Sequence, residues 1–201
     1  MSDRFIVAGI GTDTGKTVIS AILCKALQAD YWKPIQAGEL DNTDSHKIAN
    51  WVQGSFVHPE AYRLTEPMSP HAAAKVDGMS IEESELQLPI TNKSLIIELA
   101  GGLMVPLRDD FVNIDWVQKT KLPVVVVANY YLGSINHTLL TLSLLKNRSV
   151  PVVGIIFNGE KNHASFDVIQ KRSGLKCLLE VGKEESITPE IINKYASRLK
   201  F

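Results

Sequence analysis

Apolar residues follow two rhythms along this chain. Five short runs, at 5–8, 31–35, 95–99, 123–129 and 151–158, are apolar almost without interruption and rich in Val, Ile and aromatic residues. Runs of that length without alternation predict strands buried on both faces, as in a parallel sheet. Between them the spacing turns helical. Over 17–29 the apolar positions are Val18, Ile22, Leu23, Ala26 and Leu27, and over 135–146 they are Leu139, Leu140, Leu142, Leu144 and Leu145. Strands alternating with helices predict right-handed crossovers and a three-layer α/β fold, with a central, mainly parallel sheet and helices on both faces. Ligands of such sheets sit at the carboxyl ends of the strands, so functional residues are expected just after the apolar runs. Residues 54–89, interrupted by Pro59, Pro67, Pro70 and Pro89, carry neither rhythm and read as a long irregular excursion. Its length favours a functional loop.

The first run is followed by Gly9-Ile10-Gly11-Thr12-Asp13-Thr14-Gly15-Lys16-Thr17, which opens the first helical pattern. Strand, glycine-rich turn, Gly-Lys-Thr and helix make the context of a phosphate-binding loop. Its N–H groups and the helix N-terminus favour phosphate oxygens. Lys16 is the partner expected for the β- and γ-phosphates, and the Thr17 hydroxyl is expected on Mg2+. The strict pattern wants glycine at position 10; this chain has Ile10, with glycines at 9 and 11.

Mg2+ takes oxygen ligands, so a carboxylate is expected at another strand end. Glu98 closes an apolar run and precedes Leu99-Ala100-Gly101-Gly102. Asp44, in Asn42-Thr43-Asp44-Ser45, is a second candidate, and a helix N-cap is its plain alternative. Lys33 lies inside the second apolar run. A buried ammonium there needs an anion; a lysine at a sheet edge that reaches out to water is the equal alternative. At 132–137, Leu-Gly-Ser-Ile-Asn-His joins a strand to a helix and leaves N–H donors suited to a carboxylate, unless Ser134 simply caps the helix. His137 reads as a packed histidine, with a group that titrates near neutral pH as the alternative, and His71 reads as a capping or packing residue.

Length and charge narrow the class further. The chain has 201 residues, which suits one domain over 1–201. A net charge of -1 and a pI near 6.5 give no reason to expect nucleic acid or an anionic membrane as partner. Cys24 and Cys177 lie far apart, form no metal cluster, and Cys24 reads as a core thiol. No signal peptide or membrane span is expected, so the expected location is the cytoplasm.

Together these segments resemble the dethiobiotin synthetase family. The resemblance rests on the shifted loop at 9–17, Lys33-Pro34-Ile35-Gln36-Ala37-Gly38, Asn42-Thr43-Asp44, Glu66-Pro67-Met68-Ser69-Pro70-His71, Glu98-Leu99-Ala100-Gly101-Gly102 with Pro106-Leu107, Leu132-Gly133-Ser134-Ile135-Asn136-His137, and Asn158. It holds in order from residue 5 to 158. It implies ATP and Mg2+ as cofactors, and diaminopelargonic acid and CO2 as substrates. The implied reaction is attack of a substrate carbamate on the γ-phosphate, then closure of a cyclic urea with release of phosphate. The implied nucleotide contacts are Asp13, Thr14, Gly15, Lys16, Thr17, Asp44, Glu98, Leu99, Ala100, Gly101 and Asn158. The implied metal ligands are Thr17, Asp44 and Glu98. Lys33, Lys16 and Thr12 take the catalytic roles, and Thr12, Lys33, Ala37, Gly133, Ser134, Ile135 and Asn136 contact the substrate. The last four belong to a partner subunit, so a homodimer with sites at its interface is implied.

Three departures stand out. Leu99 replaces a glycine, and Ala37 stands where relatives often have Ser or Thr. No proline-containing base segment follows Asn158; only Glu180-Val181-Gly182-Lys183 is found, which predicts loose base selectivity. The rival reading is a partition-type P-loop ATPase acting as a nucleotide switch. Such proteins resemble this chain in the loop but carry an extra lysine where Gly11 stands, and many end in a basic amphipathic helix. Residues 187–201 hold Lys194, Arg198 and Lys200, yet also Glu190 and few large apolar residues. A nucleotide-binding module without turnover is a third reading, opposed by an intact Lys16 and Thr17.

Overall fold

A computed structural model describes residues 3–200. Along the chain the elements are β1 (Arg4–Gly9), α1 (Lys16–Leu27), β2 (Asp30–Trp32), β3 (Ile35–Ala37), α2 (Asp44–Trp51), β4 (Val57–His58), β5 (Tyr62–Leu64), α3 (Pro70–Val76), β6 (Leu95–Gly102), β7 (Pro106–Arg108), β8 (Phe111–Val112), α4 (Asn113–Thr120), β9 (Val124–Asn129), α5 (Ser134–Asn147), β10 (Val152–Asn158), α6 (His163–Ser173), β11 (Cys177–Val181) and α7 (Pro189–Ala196), with one 3-10 turn at Glu83–Glu85.

Seven strands form one sheet in the order β11-β10-β9-β1-β6-β2-β4, and every recorded pairing in it is parallel. Why the runs lack alternation is visible in their packing. Successive residues point to opposite faces, and both faces are covered. Ile6, Ala8, Ile97, Val124 and Val126 join Trp116 of α4, Leu142 and Leu145 of α5 and Ile169 of α6 in one apolar layer. Val7, Ile96, Val125 and Val127 join Ile19, Ile22 and Leu23 of α1, Ile48 of α2 and Ile192 of α7 in the other. The three-layer α/β fold expected from the sequence is the fold found. Cys24 is a fully buried core thiol. Among the described residues no helix is long and apolar enough to cross a membrane.

Two expectations about elements need correction. The run at 31–35 is not one strand. β2 ends at Trp32 and β3 starts at Ile35, pairing with β5 in a separate two-stranded parallel sheet. Pro34 lacks the N–H a ladder needs, and its carbonyl instead accepts from Tyr62 N–H at 3.0 Å. The stretch 54–89 is not uniformly irregular. It holds β4, β5, α3 and the 3-10 turn, and sends Leu64, Ala73, Ala74, Ile81 and Leu86 into the core. Elements of two to seven residues are too short to display a period.

β1 lies between β6 and β9, although the chain reaches β2 before either. The connection from β1 runs to one side and the connection from β6 to the other. This is the switch point of a doubly wound sheet, where a crevice opens at the carboxyl ends.

Candidate active site

The loop after β1 is built by close backbone approach. A side chain at Gly9 would place its Cβ 2.4 Å from Thr14 Oγ1 and 2.8 Å from the Gly11 carbonyl. One at Gly15 would lie 2.1 Å from Asn158 Nδ2, and Gly15 has φ 86° as the N-cap of α1. Asp13 also adopts the left-handed region, with φ 55°. Asn158, at the end of β10, donates to the Thr14 carbonyl at 3.0 Å and ties the loop to a second strand. Ile10 is explained as well: its side chain is buried in the core, so no glycine is needed there. A Cβ at Gly11 would meet nothing within 4 Å. Thr14 Oγ1 is buried without a partner. The curled loop, the glycines a Cβ would crowd and this orphaned hydroxyl fit a bound polyphosphate. Lys16, 7% exposed, donates to the Gly11 carbonyl at 3.2 Å. Burial pulls its pKa down; Glu98 opposes this and Lys33 adds to it.

Glu98 sits on β6, flanked by β1 and β2, and is 1% exposed. Its Oε1 accepts from Thr17 Oγ1 at 2.9 Å, and its Oε2 accepts from the Tyr31 hydroxyl at 3.0 Å. Lys33 Nζ lies 3.8 Å from Glu98 Oε1 and is bonded to Asp44 Oδ2. Lys33 is 7% exposed, and β2 is not an edge strand, so the reading as a lysine reaching into water fails. Asp44 opens α2, but Thr43 is the N-cap, its side chain accepting from His46 N–H at 3.1 Å. The capping alternative for Asp44 is thereby removed, and its carboxylate is left to the lysines. Burial raises the Asp44 pKa, but attraction and hydrogen bonding from Lys33, with help from Lys47, outweigh it and hold the group below its usual value.

Among the described residues no group of three or more His, Cys, Asp or Glu is placed to hold a metal ion. Mg2+ does not require one, since it is held by one or two carboxylates together with phosphates and water. Thr17, Asp44 and Glu98 converge as hard oxygen donors and fit that ion.

The remaining expected contacts are placed as follows. Thr12 and Asp13 are exposed on the loop, and Ala37 ends β3. The Leu99 side chain is 2% exposed and lies in the apolar layer away from Glu98, which leaves only its backbone available to a ligand. Gly101 has φ 71°. The Ala100 carbonyl accepts from Asn113 Nδ2 at 2.8 Å and the Gly102 carbonyl does so at 2.9 Å. At the start of α5, Gly133 is the N-cap with φ 101° and no side chain caps the helix. Ser134 is fully buried with its Oγ unpartnered, so the capping alternative for Ser134 is not realised. Ile135 is half-buried and Asn136 exposed. His137 is exposed rather than packed, with Nδ1 at 2.7 Å from the Tyr131 hydroxyl.

Two residues beside the candidate site carried no signal of their own in the sequence, and a third figured only within the block from Lys33 to Gly38. Tyr31 reads as an ordinary strand aromatic. Gln36 holds the Gly38 carbonyl at 2.9 Å and meets the Asp44 N–H at 3.4 Å. Asn113, the first residue of α4, is singled out by nothing in the sequence. In the sequence Gln36 stands only as a member of the block from Lys33 to Gly38.

A cleft of about 500 Å3 opens between the ends of β10 and β11. Tyr130, stacked on Phe157 with centroids 5.7 Å apart, forms part of its wall. Lys161 and Glu180, paired at 2.7 Å, also line it.

The parallel sheet, the loop after β1 and the buried acid on the neighbouring strand define a P-loop nucleotide-binding protein. Solved structures agree on the fold: a ParA family ATPase from Chlorobium tepidum superposes with TM-score 0.59 at 14% identity, covering 98% of each chain. The septum site-determining protein MinD of Pyrococcus horikoshii does so with TM-score 0.58 at 14% identity, covering 98% of this chain and 88% of that one. Residues 3–191 match the family described as AAA domain. Sequence similarity is much higher elsewhere. The ATP-dependent dethiobiotin synthetase BioD of Cytophaga hutchinsonii is 50% identical over 199 residues, 98% of this chain and 96% of that protein. The one from Christiangramia forsetii is 44% identical over 202 residues, 100% of this chain and 97% of that protein. The chain belongs to the ATP-dependent dethiobiotin synthetase family.

Proposed function

We propose that this chain uses Mg-ATP and CO2 to close diaminopelargonic acid into dethiobiotin, releasing ADP and phosphate. The observation that carries this reading is the buried meeting of Lys33, Asp44, Glu98 and Thr17 beside the loop lysine. A carbamate and a γ-phosphate are both anions and repel. Two buried lysines at the junction offset that repulsion, and poorly solvated charges act more strongly than exposed ones. Mg2+ would be held by Thr17, Asp44 and Glu98 and supplies charge to the phosphates.

The chain's own groups divide the work. The loop N–H groups and Lys16 hold the triphosphate. Thr12 and Lys33 orient the carbamate so that its oxygen attacks the γ-phosphorus and ADP leaves. The second amine then attacks the carbonyl carbon and phosphate leaves. The start of α5, where Gly133 is the N-cap and no side chain caps the helix, receives the far carboxylate of the substrate held by a second copy of the chain. The exposed Leu132 (103%), Leu140 (60%) and Tyr131 (42%) beside that helix start support a homodimer face. The base of the nucleotide lies in the cleft between β10 and β11. The protein works in the cytoplasm.

The test is substrate dependence. Phosphate release from Mg-ATP should require both diaminopelargonic acid and bicarbonate, and should match dethiobiotin formed by mass spectrometry. Release that proceeds without the diamine, or that answers to DNA, would support the nucleotide-switch reading instead.

A further inference from the structure

Glu98 is almost fully buried, yet its two oxygens face different neighbours. Oε1 takes the Thr17 hydroxyl at 2.9 Å and has Lys33 Nζ at 3.8 Å, whereas Oε2 takes only the Tyr31 hydroxyl, at 3.0 Å. The register explains how Tyr31 reaches it. β2 pairs with β6 so that Tyr31 lies opposite Ile96. Side chains two residues apart on a strand share a face, so Glu98 is the diagonal neighbour of Tyr31, within reach of a long side chain. Tyr31 has no exposed surface.

We propose that Tyr31 is a positioning residue that fixes the Glu98 carboxylate with one oxygen turned toward the metal site. This rests on the reading of Thr17, Asp44 and Glu98 as the Mg2+ ligands. A carboxylate free to rotate presents either oxygen, or both, to an ion. With Oε2 held by the phenol, Glu98 offers Oε1 alone, on the side of Thr17. Groups that orient a metal ligand in this way change metal affinity by roughly 10–100-fold when removed. Tyr31 also packs in the apolar layer beneath α1 and α2, and a plain packing role is the competing explanation.

The test reads metal binding without turnover. Mn2+ is titrated by electron paramagnetic resonance into the full-length protein with a non-hydrolysable ATP analogue. Tyr31→Phe keeps the ring and should weaken Mn2+ binding roughly 10- to 100-fold, with metal-free binding of the analogue unchanged. Ring-closure activity should recover when Mg2+ is raised to saturation. In a Glu98→Gln background, Tyr31→Phe should cost nothing further in Mn2+ affinity. Wild-type Mn2+ affinity in Tyr31→Phe, with a lowered melting temperature alone, would leave Tyr31 a packing residue and overturn the proposal. If Tyr31→Phe alone does not fold, the double variant decides, because the buried charge is gone: further loss relative to Glu98→Gln overturns the proposal. If Glu98→Gln itself binds Mn2+ like the wild type, the metal site falls, and the role of Tyr31 with it.

Discussion

An ammonium group taken out of water costs several kcal/mol unless anions receive it. Lys33 is 7% exposed and is received by Asp44, with Glu98 nearby. Lys16 is equally buried but faces its own loop, through the Gly11 carbonyl. Two lysines in one site therefore have separable duties. Lys16→Ala removes the charge on the β- and γ-phosphates and should lower turnover by roughly 100-fold or more, with weakened ATP binding. Lys33→Gln should lower single-turnover ring formation by about the same factor while ATP affinity, measured by calorimetry, stays near wild type. Lys47, 3.3 Å from Asp44 Oδ1, still accompanies that carboxylate in the variant. Ring closure at the wild-type rate would remove Lys33 from the chemistry. Loss of ATP binding in step with the rate would make it a phosphate ligand.

At the scale of elements, the phosphate loop was legible because everything that builds it is local: a strand, small residues and a helix start in direct succession. What closes it was not. Asn158 reaches Thr14 across 144 residues, and no spacing in the sequence announces that contact. Gly15 is where the two meet. Its φ of 86° disfavours a side chain, and a methyl group there would collide with Asn158 Nδ2. Gly15→Ala should displace Asn158 or unwind the first turn of α1, with ATP binding lost and the far side of the sheet intact. Calorimetry beside circular dichroism checks this; a Gly15→Ala variant that binds ATP normally would contradict the geometry. The cleft between β10 and β11 was read only as a missing proline segment. Its wall offers the stacked Tyr130 and a Lys161–Glu180 pair. An aromatic wall accepts any base and the ion pair is already satisfied, so GTP and CTP should compete with ATP within about tenfold, a gap of roughly 1.4 kcal/mol. A much larger preference for ATP, measured by competition binding, would show that the backbone of 180–183 reads the base on its own.

For the whole molecule, alternating apolar runs and helical stretches were enough for the layered class, because burial on both faces erases alternation. They could not give the strand order, since β1 pairs with β6 and β9 only once the chain has folded. Nor could they show the break at Pro34, which moves β3 out of the main sheet and leaves Lys33 at the crevice. The proposed seam with a second copy is likewise outside any one chain's periodicity. The structure offers Leu132, fully exposed, next to the fourteen-residue helix Ser134–Asn147. In a homodimer whose sites are shared, one protomer gives the phosphate loop and the other gives the α5 start. That arrangement has a consequence a self-contained site lacks. Lys16→Ala disables one half. Asn136→Asp disables the other: Asn136 is exposed in the first turn of α5, and a negative charge there suits the helix but repels a substrate carboxylate. Each variant alone should be nearly inactive. Mixed in equal amounts and allowed to exchange, half the dimers are hybrids, each with one intact site, so activity should return to about a quarter of wild type by random pairing in a two-fold dimer. Sites confined to one chain give no recovery, because every chain then carries its own defect. Sedimentation of the mixture, run beside the assay, shows whether the protein is dimeric under the assay conditions.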